Sequence, residues 1–336
     1  MSSVRVVVVS SSATVRSLLR RLVAGEAVEV DVGPSDPLAV AEAVGRTRPD
    51  LVVLDADVAD GGIGVAEAVT ARRPTPILVL APRRRHFARL AFETLTRGAL
   101  GVFAKPETPE EWQELGRSLA EVVRQVAGAG GVTRAASPSS SRLPSAGGLR
   151  WVAVGASTGG PVALRAMLGA LTEGPPAVAV VQHIAAGFEH GLVEWLTRET
   201  GLDVRVARDG EELAPGRVRL ARPGAHLVIE RDGTLRHDAV TPPVRGHRPS
   251  ANRLFASFLG LEPASVAAVL LTGMGDDGVE GMAELRRAGA LTVVQDRRSC
   301  AVFGMPRAAL ERDAAVLELD PEAIGKLLAR LASEPS

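Results

Sequence analysis

The chain has 336 residues, of which 46% are hydrophobic, so it is long enough to bury the cores of two ordinary domains. Acidic and basic residues balance at 39 each and aromatic residues make up only 3%, which argues against nucleic acid or an anionic membrane surface as a partner. The single cysteine, the lack of a signal-peptide pattern and the lack of an apolar run of about 18 residues predict a cytoplasmic protein with no membrane insertion.

The N-terminal part of the chain alternates strand and helix patterns. A continuous β-branched run from Val4 to Val9 is typical of a parallel strand that is buried on both faces. Further strand patterns lie at Val28–Val32, Leu51–Leu54, Ile77–Leu80 and Gly101–Ala104. Helix patterns lie at Thr14–Val23, Pro37–Arg46, Gly64–Ala71, Phe87–Thr96 and Pro109–Val126. This alternation predicts an α/β domain over residues 1–126, with a doubly wound, flavodoxin-like parallel sheet.

A second domain is predicted after a linker. Residues 127–148 are rich in Gly, Ser, Ala and Pro and have no periodicity, which indicates a flexible linker. Strand patterns then lie at Trp151–Val154, Ala177–Gln182, Val204–Val206, Val218–Leu220, His226–Ile229, Val266–Thr272 and Leu291–Gln295. Helix patterns lie at Pro161–Leu171, Phe188–Thr200, Ala251–Gly260 and Val279–Ala288. We therefore predict a second doubly wound, Rossmann-like domain over residues 149–336, with a hairpin inserted between Arg217 and His237.

A serine lies at a tight turn between the first strand and the first helix of this second domain. The segment Gly155-Ala156-Ser157-Thr158-Gly159-Gly160 fits the G-x-S-x-G pattern of a nucleophile elbow. Small neighbours allow a sharp turn that exposes the hydroxyl, and the following helix N-terminus offers free amides to a developing oxyanion. Ser157 is therefore a candidate nucleophile.

Two further polar groups follow other strands of the same predicted sheet. His183 comes directly after the strand that ends at Gln182, and Asp276 and Asp277 follow the strand that leads into Thr272. The carboxyl ends of parallel strands meet at one edge of a sheet, which is where such folds build their sites. His183 is a candidate base and one of the aspartates is its candidate partner.

Each of these motifs also has a simpler interpretation. The glycine-rich turn could bind a phosphate, His183 could be a structural histidine, and either aspartate could cap the helix that follows it. The coincidence favours an active site, because groups of the three required types follow three predicted strands. The chain order Ser, His, Asp differs from the Ser, Asp, His order of the α/β-hydrolases, which indicates a different family.

Five motifs resemble those of one known family. They are Gly155–Gly160, Gln182-His183, Arg248-Pro249-Ser250, Leu271–Gly278 and Cys300–Pro306. In this order they resemble the successive motifs of the chemotaxis protein-glutamate methylesterases, the CheB family. The resemblance spans essentially the whole chain, including the linker.

The resemblance implies a serine hydrolase that removes methyl groups from glutamate γ-methyl esters of methyl-accepting chemoreceptors, with deamidation of glutamine as a further candidate activity. It implies that Ser157 is the nucleophile, His183 the base and Asp277 the residue that orients the base. Thr158 and Met274 then support the site, through backbone amides that stabilise an oxyanion. This chemistry requires no metal and no organic cofactor.

The N-terminal half resembles the receiver domains of response regulators, but with departures. Asp55 ends the third strand, where a receiver carries its phosphoacceptor, and Lys105 follows the fifth strand. A receiver also holds Mg²⁺ with acidic residues after its first strand, and these positions are Ser10 and Ser11 here. We therefore predict a degenerate receiver in which Asp55 and Lys105 form an internal ion pair. Asp57 is a candidate substitute Mg²⁺ ligand, although at two residues along the same segment it is expected to face elsewhere. A chemosensory histidine kinase is a second candidate partner.

Two other functions stay open from the sequence. A non-catalytic regulatory or scaffold protein of a chemosensory pathway would explain the degenerate receiver, although the intact Ser157, His183 and Asp277 argue against it. A nucleotide binder would use the glycines of the serine turn, but the next strand does not end in an acidic ribose-binding residue.

The remaining histidines and the cysteine suggest no second site. His226, His237 and His247 lack metal-ligand spacing and are interpreted as loop residues. Cys300 is interpreted as a packed residue near a strand end, because no electropositive partner that would activate a thiol is evident.

Overall fold

The computed structural model of the chain describes residues 5–22, 31–32, 36–128, 148–171 and 174–334. The chain divides into two compact units, residues 1–134 and 135–336. The predicted linker, residues 127–148, falls almost wholly outside the described residues and stays a prediction. None of the helices in the described ranges combines the length and the apolarity that a membrane span needs.

The first unit contains a five-stranded parallel sheet with the strand order β2-β1-β3-β4-β5. Its strands are β1 (Val6–Val9), β2 (Asp31–Val32), β3 (Leu51–Asp55), β4 (Ile77–Ala81) and β5 (Gly101–Ala104). Its helices are α1 (Ala13–Leu22), α2 (Pro37–Thr47), α3 (Ile63–Arg72), α4 (Arg85–Thr96) and α5 (Pro109–Gly128). The predicted doubly wound fold is confirmed, although the predicted strand Val28–Val32 is described only at its last two residues.

The central strands of the first unit are buried along their whole length. Every residue of β1, β3 and β4 is buried, as expected for a parallel sheet covered by helices on both faces. Strands β1 and β3 pair in parallel with Val9 opposite Leu54. This register brings Ser10 and Asp55, the next residue on each strand, to the same edge of the sheet.

The second unit contains a seven-stranded parallel sheet with the order β15-β14-β13-β6-β7-β10-β8. Its strands are β6 (Trp151–Ala156), β7 (Ala177–Gln182), β8 (Asp203–Val206), β10 (Arg217–Leu220), β13 (Val266–Leu270), β14 (Leu291–Gln295) and β15 (Leu317–Leu319). The first strand of the unit, β6, lies between β7 and β13, and the chain builds outward on both sides of it. The strand order therefore reverses beside β6, and ligands of open α/β sheets bind at such a switch point.

A small antiparallel sheet is attached to the second unit. It contains β9 (Glu211–Glu212), β11 (His226–Ile229) and β12 (Thr234–Asp238), in the order β11-β12-β9. The predicted hairpin between Arg217 and His237 is thus only partly right. Residues Arg217–Leu220 join the large parallel sheet, because they pair in parallel with β7 and β8.

Six helices cover the large sheet within the described residues of the second unit. They are α6 (Gly160–Gly169), α7 (Glu189–Thr200), α8 (Ala251–Ser257), α9 (Val279–Ala288), α10 (Met305–Glu311) and α11 (Pro321–Ser333). Helices α6, α8 and α9 follow the segments that carry the predicted site residues. The two C-terminal helices and β15 were not predicted from the sequence.

Candidate active site

The three predicted triad residues follow three adjacent strands, β6, β7 and β13. Strands β6 and β7 pair with Ala156 opposite Gln182, and the His183 amide donates to the Ala156 carbonyl over 2.9 Å. On the other side of β6, the Ser157 amide donates to the Thr272 carbonyl over 3.0 Å. Backbone hydrogen bonds therefore bring the serine turn, the histidine and the aspartate loop together at the carboxyl edge of the sheet.

The serine turn has the sharp geometry that its glycines predict. Gly159 has φ +80°, and a Cβ on it would lie 2.3 Å from the Cβ of Ala301. A Cβ on Gly160 would lie 2.0 Å from Oε1 of Gln182, whose Nε2 donates to the Ser157 carbonyl over 2.8 Å. A side chain at either position would displace a neighbouring side chain, and the Gln182 amide holds the carbonyl of the serine itself.

Asp277 is buried and accepts four hydrogen bonds. Its Oδ1 accepts from the Ser250 hydroxyl (2.6 Å) and the Asn252 amide (3.1 Å), and its Oδ2 accepts from the Ala251 amide (2.7 Å) and faces Nε2 of His183 (2.8 Å). Burial alone would raise its pKa, but the imidazole and the other donors outweigh burial and lower the pKa of Asp277 to about 2. The carboxylate is therefore ionised at neutral pH.

The ionised aspartate fixes the tautomer of His183. Because Asp277 can only accept, the Nε2 of a neutral His183 must carry the ring proton. The other nitrogen, Nδ1, is buried and has no hydrogen-bond partner among the described residues, so no hydrogen bond joins it to Ser157. Catalytic hydrogen bonds are often long without substrate and tighten in the reacting complex. Nδ1 is thus the nitrogen available to take a proton, the reverse of the more familiar arrangement, in which Nδ1 faces the aspartate.

The residues predicted to support the site lie beside the serine turn. The Thr158 carbonyl accepts from the Thr272 hydroxyl over 2.9 Å. The amides of Thr158 and Met274 donate no hydrogen bond to any part of the chain that the structure describes. Both amides are therefore available to an oxyanion.

Comparison with known proteins identifies the family. The CheB methylesterase family model matches residues 152–328. A relative from Anaeromyxobacter dehalogenans (strain 2CP-C), named protein-glutamate methylesterase/protein-glutamine glutaminase 2, is 41% identical over 340 residues, which cover 98% of this chain and 97% of the relative. The chain belongs to the CheB methylesterase family.

Further comparisons agree with this CheB assignment. A relative from Caulobacter vibrioides, named protein-glutamate methylesterase/protein-glutamine glutaminase 1, is 35% identical over 346 residues, which cover 99% of each chain. The crystal structure of the Thermotoga maritima CheB methylesterase catalytic domain is 32% identical with a TM-score of 0.52, and the match covers 55% of this chain and 98% of that chain. These names are enzyme names, and nothing favours the non-catalytic alternative.

Two of the three histidines that were interpreted as loop residues lie in strands instead. His226 and His237 lie in strands β11 and β12. His226 is fully buried, and its Nδ1 accepts from the amide of Ser250, the residue that donates to Asp277. His247 does lie in a loop, but its ring stacks on that of His183. The sequence did offer a signal, since His247 directly precedes the motif Arg248-Pro249-Ser250.

The receiver-like unit of the CheB chain has an ion-pair cluster where a receiver would hold Mg²⁺. The Ser10 hydroxyl donates to Asp55 over 2.7 Å, and Lys105 Nζ donates to both oxygens of Asp55 over 3.0 and 2.9 Å. Lys105 also donates to Asp57, so the expectation that Asp57 faces elsewhere is wrong. Burial would lower the pKa of Lys105, but the two carboxylates raise it.

These residues do not fit Mg²⁺. The cation prefers carboxylate oxygens in near-octahedral geometry, whereas serines stand at the expected acidic positions and an ammonium group occupies the space between the two carboxylates. Among the described residues, no group of three or more His, Cys, Asp and Glu could hold a metal ion.

Proposed function

We propose that the chain hydrolyses glutamate γ-methyl esters on methyl-accepting chemoreceptors and releases methanol. The observation that carries the proposal is the pairing of His183 with a buried, ionised Asp277, which leaves Nδ1 without a partner among the described residues, while the His183 amide bonds to the Ala156 carbonyl next to Ser157. Membership of the CheB family and the enzyme names of its relatives support the substrate class.

The proposed reaction is acyl transfer through the serine. Nδ1 of His183 takes the hydroxyl proton as Ser157 Oγ attacks the ester carbonyl, and the amides of Thr158 and Met274 stabilise the oxyanion. The same proton passes to the methoxy oxygen, so methanol departs and a glutamyl ester of Ser157 remains. Water then attacks this ester, again with His183 as base, and releases the glutamate carboxylate and the free serine. Neither step requires a metal or an organic cofactor.

Deamidation of glutamine is proposed as a second activity of the same site. An amide forms the same tetrahedral intermediate, and His183 would return its proton to departing ammonia rather than methanol. Relatives carry the name of a protein-glutamine glutaminase beside that of a methylesterase. Each turnover of either kind adds one negative charge to a receptor helix, where repulsion between like charges can carry a signal.

The esterase proposal is tested by methanol release from methyl-labelled receptor membranes. The full chain should release labelled methanol, and Ser157→Ala should not. Ser265→Ala is a matched control, because this serine precedes β13 at the opposite end of the sheet from the site. Release by Ser157→Ala at the wild-type rate would refute the serine mechanism, and no release by the wild type on cognate receptors would refute the substrate.

We also propose that the receiver-like unit is not phosphorylated by the ordinary Mg²⁺-dependent route. The cluster of Lys105 with Asp55 and Asp57 supports this, because the ammonium group pairs with both carboxylates and compensates one of their two charges without a metal. A chemosensory histidine kinase is then a candidate for docking rather than for phosphotransfer. Incubation with radiolabelled acetyl phosphate and Mg²⁺ should leave the chain unlabelled, while labelling of Asp55 at a rate typical of receivers would overturn the proposal.

A further inference from the structure

A tight turn brings a second imidazole to the catalytic site. The amide of Val244 donates to the carbonyl of His247 over 3.0 Å, and the amide of His247 donates back over 2.9 Å. The two residues between them, Arg245 and Gly246, have φ of 50° and 83°, which are the left-handed values of a type I′ turn. This backbone geometry fixes the position of the His247 backbone, from which its side chain extends.

The turn is fastened to the segment that carries Asp277. The guanidinium of Arg245 donates to Asp276 over 2.7 Å and also pairs with Glu280 on helix α9. Asp276 accepts a second ion pair from Arg312, over 3.0 Å. The turn that carries His247 and the loop that carries Asp277 are therefore joined by charge-assisted hydrogen bonds.

The two imidazole rings lie face to face. The centroids of the His183 and His247 rings are 3.9 Å apart and their planes differ by 3°. Within the described residues the side chain of His247 makes no hydrogen bond or ion pair, so its specific interaction is the stack on the His183 ring. His183 is held at one nitrogen only, because Nε2 faces Asp277 and Nδ1 has no partner. A ring held by one hydrogen bond can pivot about it, and a flat neighbour removes that freedom.

We propose that His247 is a positioning residue for His183. Its ring holds the imidazole in the plane that directs Nε2 to Asp277 and Nδ1 to the Ser157 turn. Its π face also favours the imidazolium that forms when His183 takes the serine proton. The inference rests on the proposed serine mechanism. His247 contributes a flat ring against which His183 packs, and it takes no part in proton transfer.

The surroundings of His247 suit this role. Burial lowers the pKa of His247, the charge of protonated His183 lowers it further, and the charges of Asp277 and Asp276 oppose these effects. The net direction is downward, which favours the neutral form of the His247 ring beside a charged His183. A neutral ring can lie against an imidazolium, whereas a second charged ring would repel it.

The test compares two apolar replacements in the full chain. His247→Phe keeps a flat ring and His247→Leu fills the site without one. In the methanol-release assay, His247→Leu should lose on the order of tenfold in kcat with KM unchanged, because misplacement of a catalytic group lowers the rate of the chemical step. His247→Phe should stay within about threefold of the wild type. His190→Leu, at an exposed position on α7, is the control and should match the wild type.

Three outcomes would overturn the proposal. They are equal losses in the Phe and Leu variants, no loss in either, or a loss confined to KM. Wild-type release together with no release by Ser157→Ala shows that the esterase mechanism itself holds, so failure of the two proposals can be told apart.

A spectroscopic measurement does not depend on turnover. The Nε2 proton of His183, bonded to Asp277, should give a low-field proton resonance in the wild type and in His247→Phe. It should broaden in His247→Leu as the ring gains freedom. A resonance of unchanged position and width in His247→Leu would contradict a positioning role.

Discussion

Replacement of Asp277 by asparagine should destabilise the second unit as well as inactivate it. The carboxylate accepts from Ser250, Ala251, Asn252 and His183, with two donors on each oxygen. Asparagine has the same shape but only one acceptor oxygen, so its NH₂ group must face two donors in either orientation. The substitution therefore removes a charge and leaves donors without an acceptor.

The size of the loss follows from the pKa and from the hydrogen bonds. Lowering the pKa of Asp277 from 3.8 to about 2 corresponds to about 2 kcal/mol of folding free energy at neutral pH. The same hydrogen bonds cause the lowered pKa, so this figure is not added to the cost of the two orphaned donors, and at ~1–3 kcal/mol per donor the expected loss is about 2–6 kcal/mol. We expect kcat to fall on the order of a thousandfold or more, because the tautomer of His183 is no longer fixed.

The loss should depend on pH in a defined direction. A depressed pKa stabilises the folded state fully above the pKa of an unfolded aspartate, about 4, and this stabilisation is lost as the pH falls through about 2. The difference in the free energy of unfolding between wild type and Asp277→Asn should therefore be constant from pH 7 to about pH 5 and shrink below that.

Denaturant titration followed by tryptophan fluorescence can measure this difference. Trp151 and Trp195 lie in the second unit and Trp112 in the first, so a Trp112→Phe background isolates the relevant transition. A difference below about 1 kcal/mol at pH 7 would refute the reasoning, as would a difference that grows as the pH falls.

Three further changes have defined outcomes. Ser250→Ala removes one hydrogen-bond donor to Asp277, so the pKa of Asp277 should rise. The free energy of unfolding at pH 7 should fall by about 1–2 kcal/mol in the same denaturant titration. An unchanged free energy of unfolding would contradict this hydrogen bond. Gly160→Ala places a methyl group against Gln182, so kcat should fall at least about tenfold while the protein stays folded. Methanol release near the wild-type rate would show that the serine turn can relax. Burial raises the pKa of the Cys300 thiol, so iodoacetamide at pH 8 should alkylate Cys300 far more slowly in the native than in the denatured protein. Mass spectrometry can follow the alkylation, and equal rates would refute the packed state of Cys300.

Elements with a strong local pattern were predicted from the sequence. Strands Ala177–Gln182 and Leu291–Gln295 have the predicted bounds, because fully buried strands show as nearly continuous apolar runs, each ending here at a glutamine. Strand β15, Leu317–Leu319, is partly exposed and three residues long, so no pattern marks it. Its place at the sheet edge depends on pairing with β14, which is a tertiary contact.

The site was predicted as a set of residues but not as an arrangement. Motif positions indicated Ser157, His183 and Asp277, whereas the ring nitrogen that faces the aspartate depends on how the loops meet. The stack of His247 was missed because 64 residues separate it from His183 along the chain. Asp57 was misjudged because strand alternation was applied beyond the end of β3 at Asp55, where the backbone turns.

The four hydrogen bonds to Asp277 have a consequence for how this enzyme can change over generations. The carboxylate binds two amides at the start of helix α8 as well as the catalytic imidazole, so its loss costs folding and not only activity. The Ser157 hydroxyl makes no hydrogen bond to His183, so its removal should lower the free energy of unfolding less than the removal of the carboxylate. A related protein that no longer catalyses the reaction would therefore be expected to lose the serine early and to retain the aspartate. The presence of the aspartate alone is then weak evidence of esterase activity.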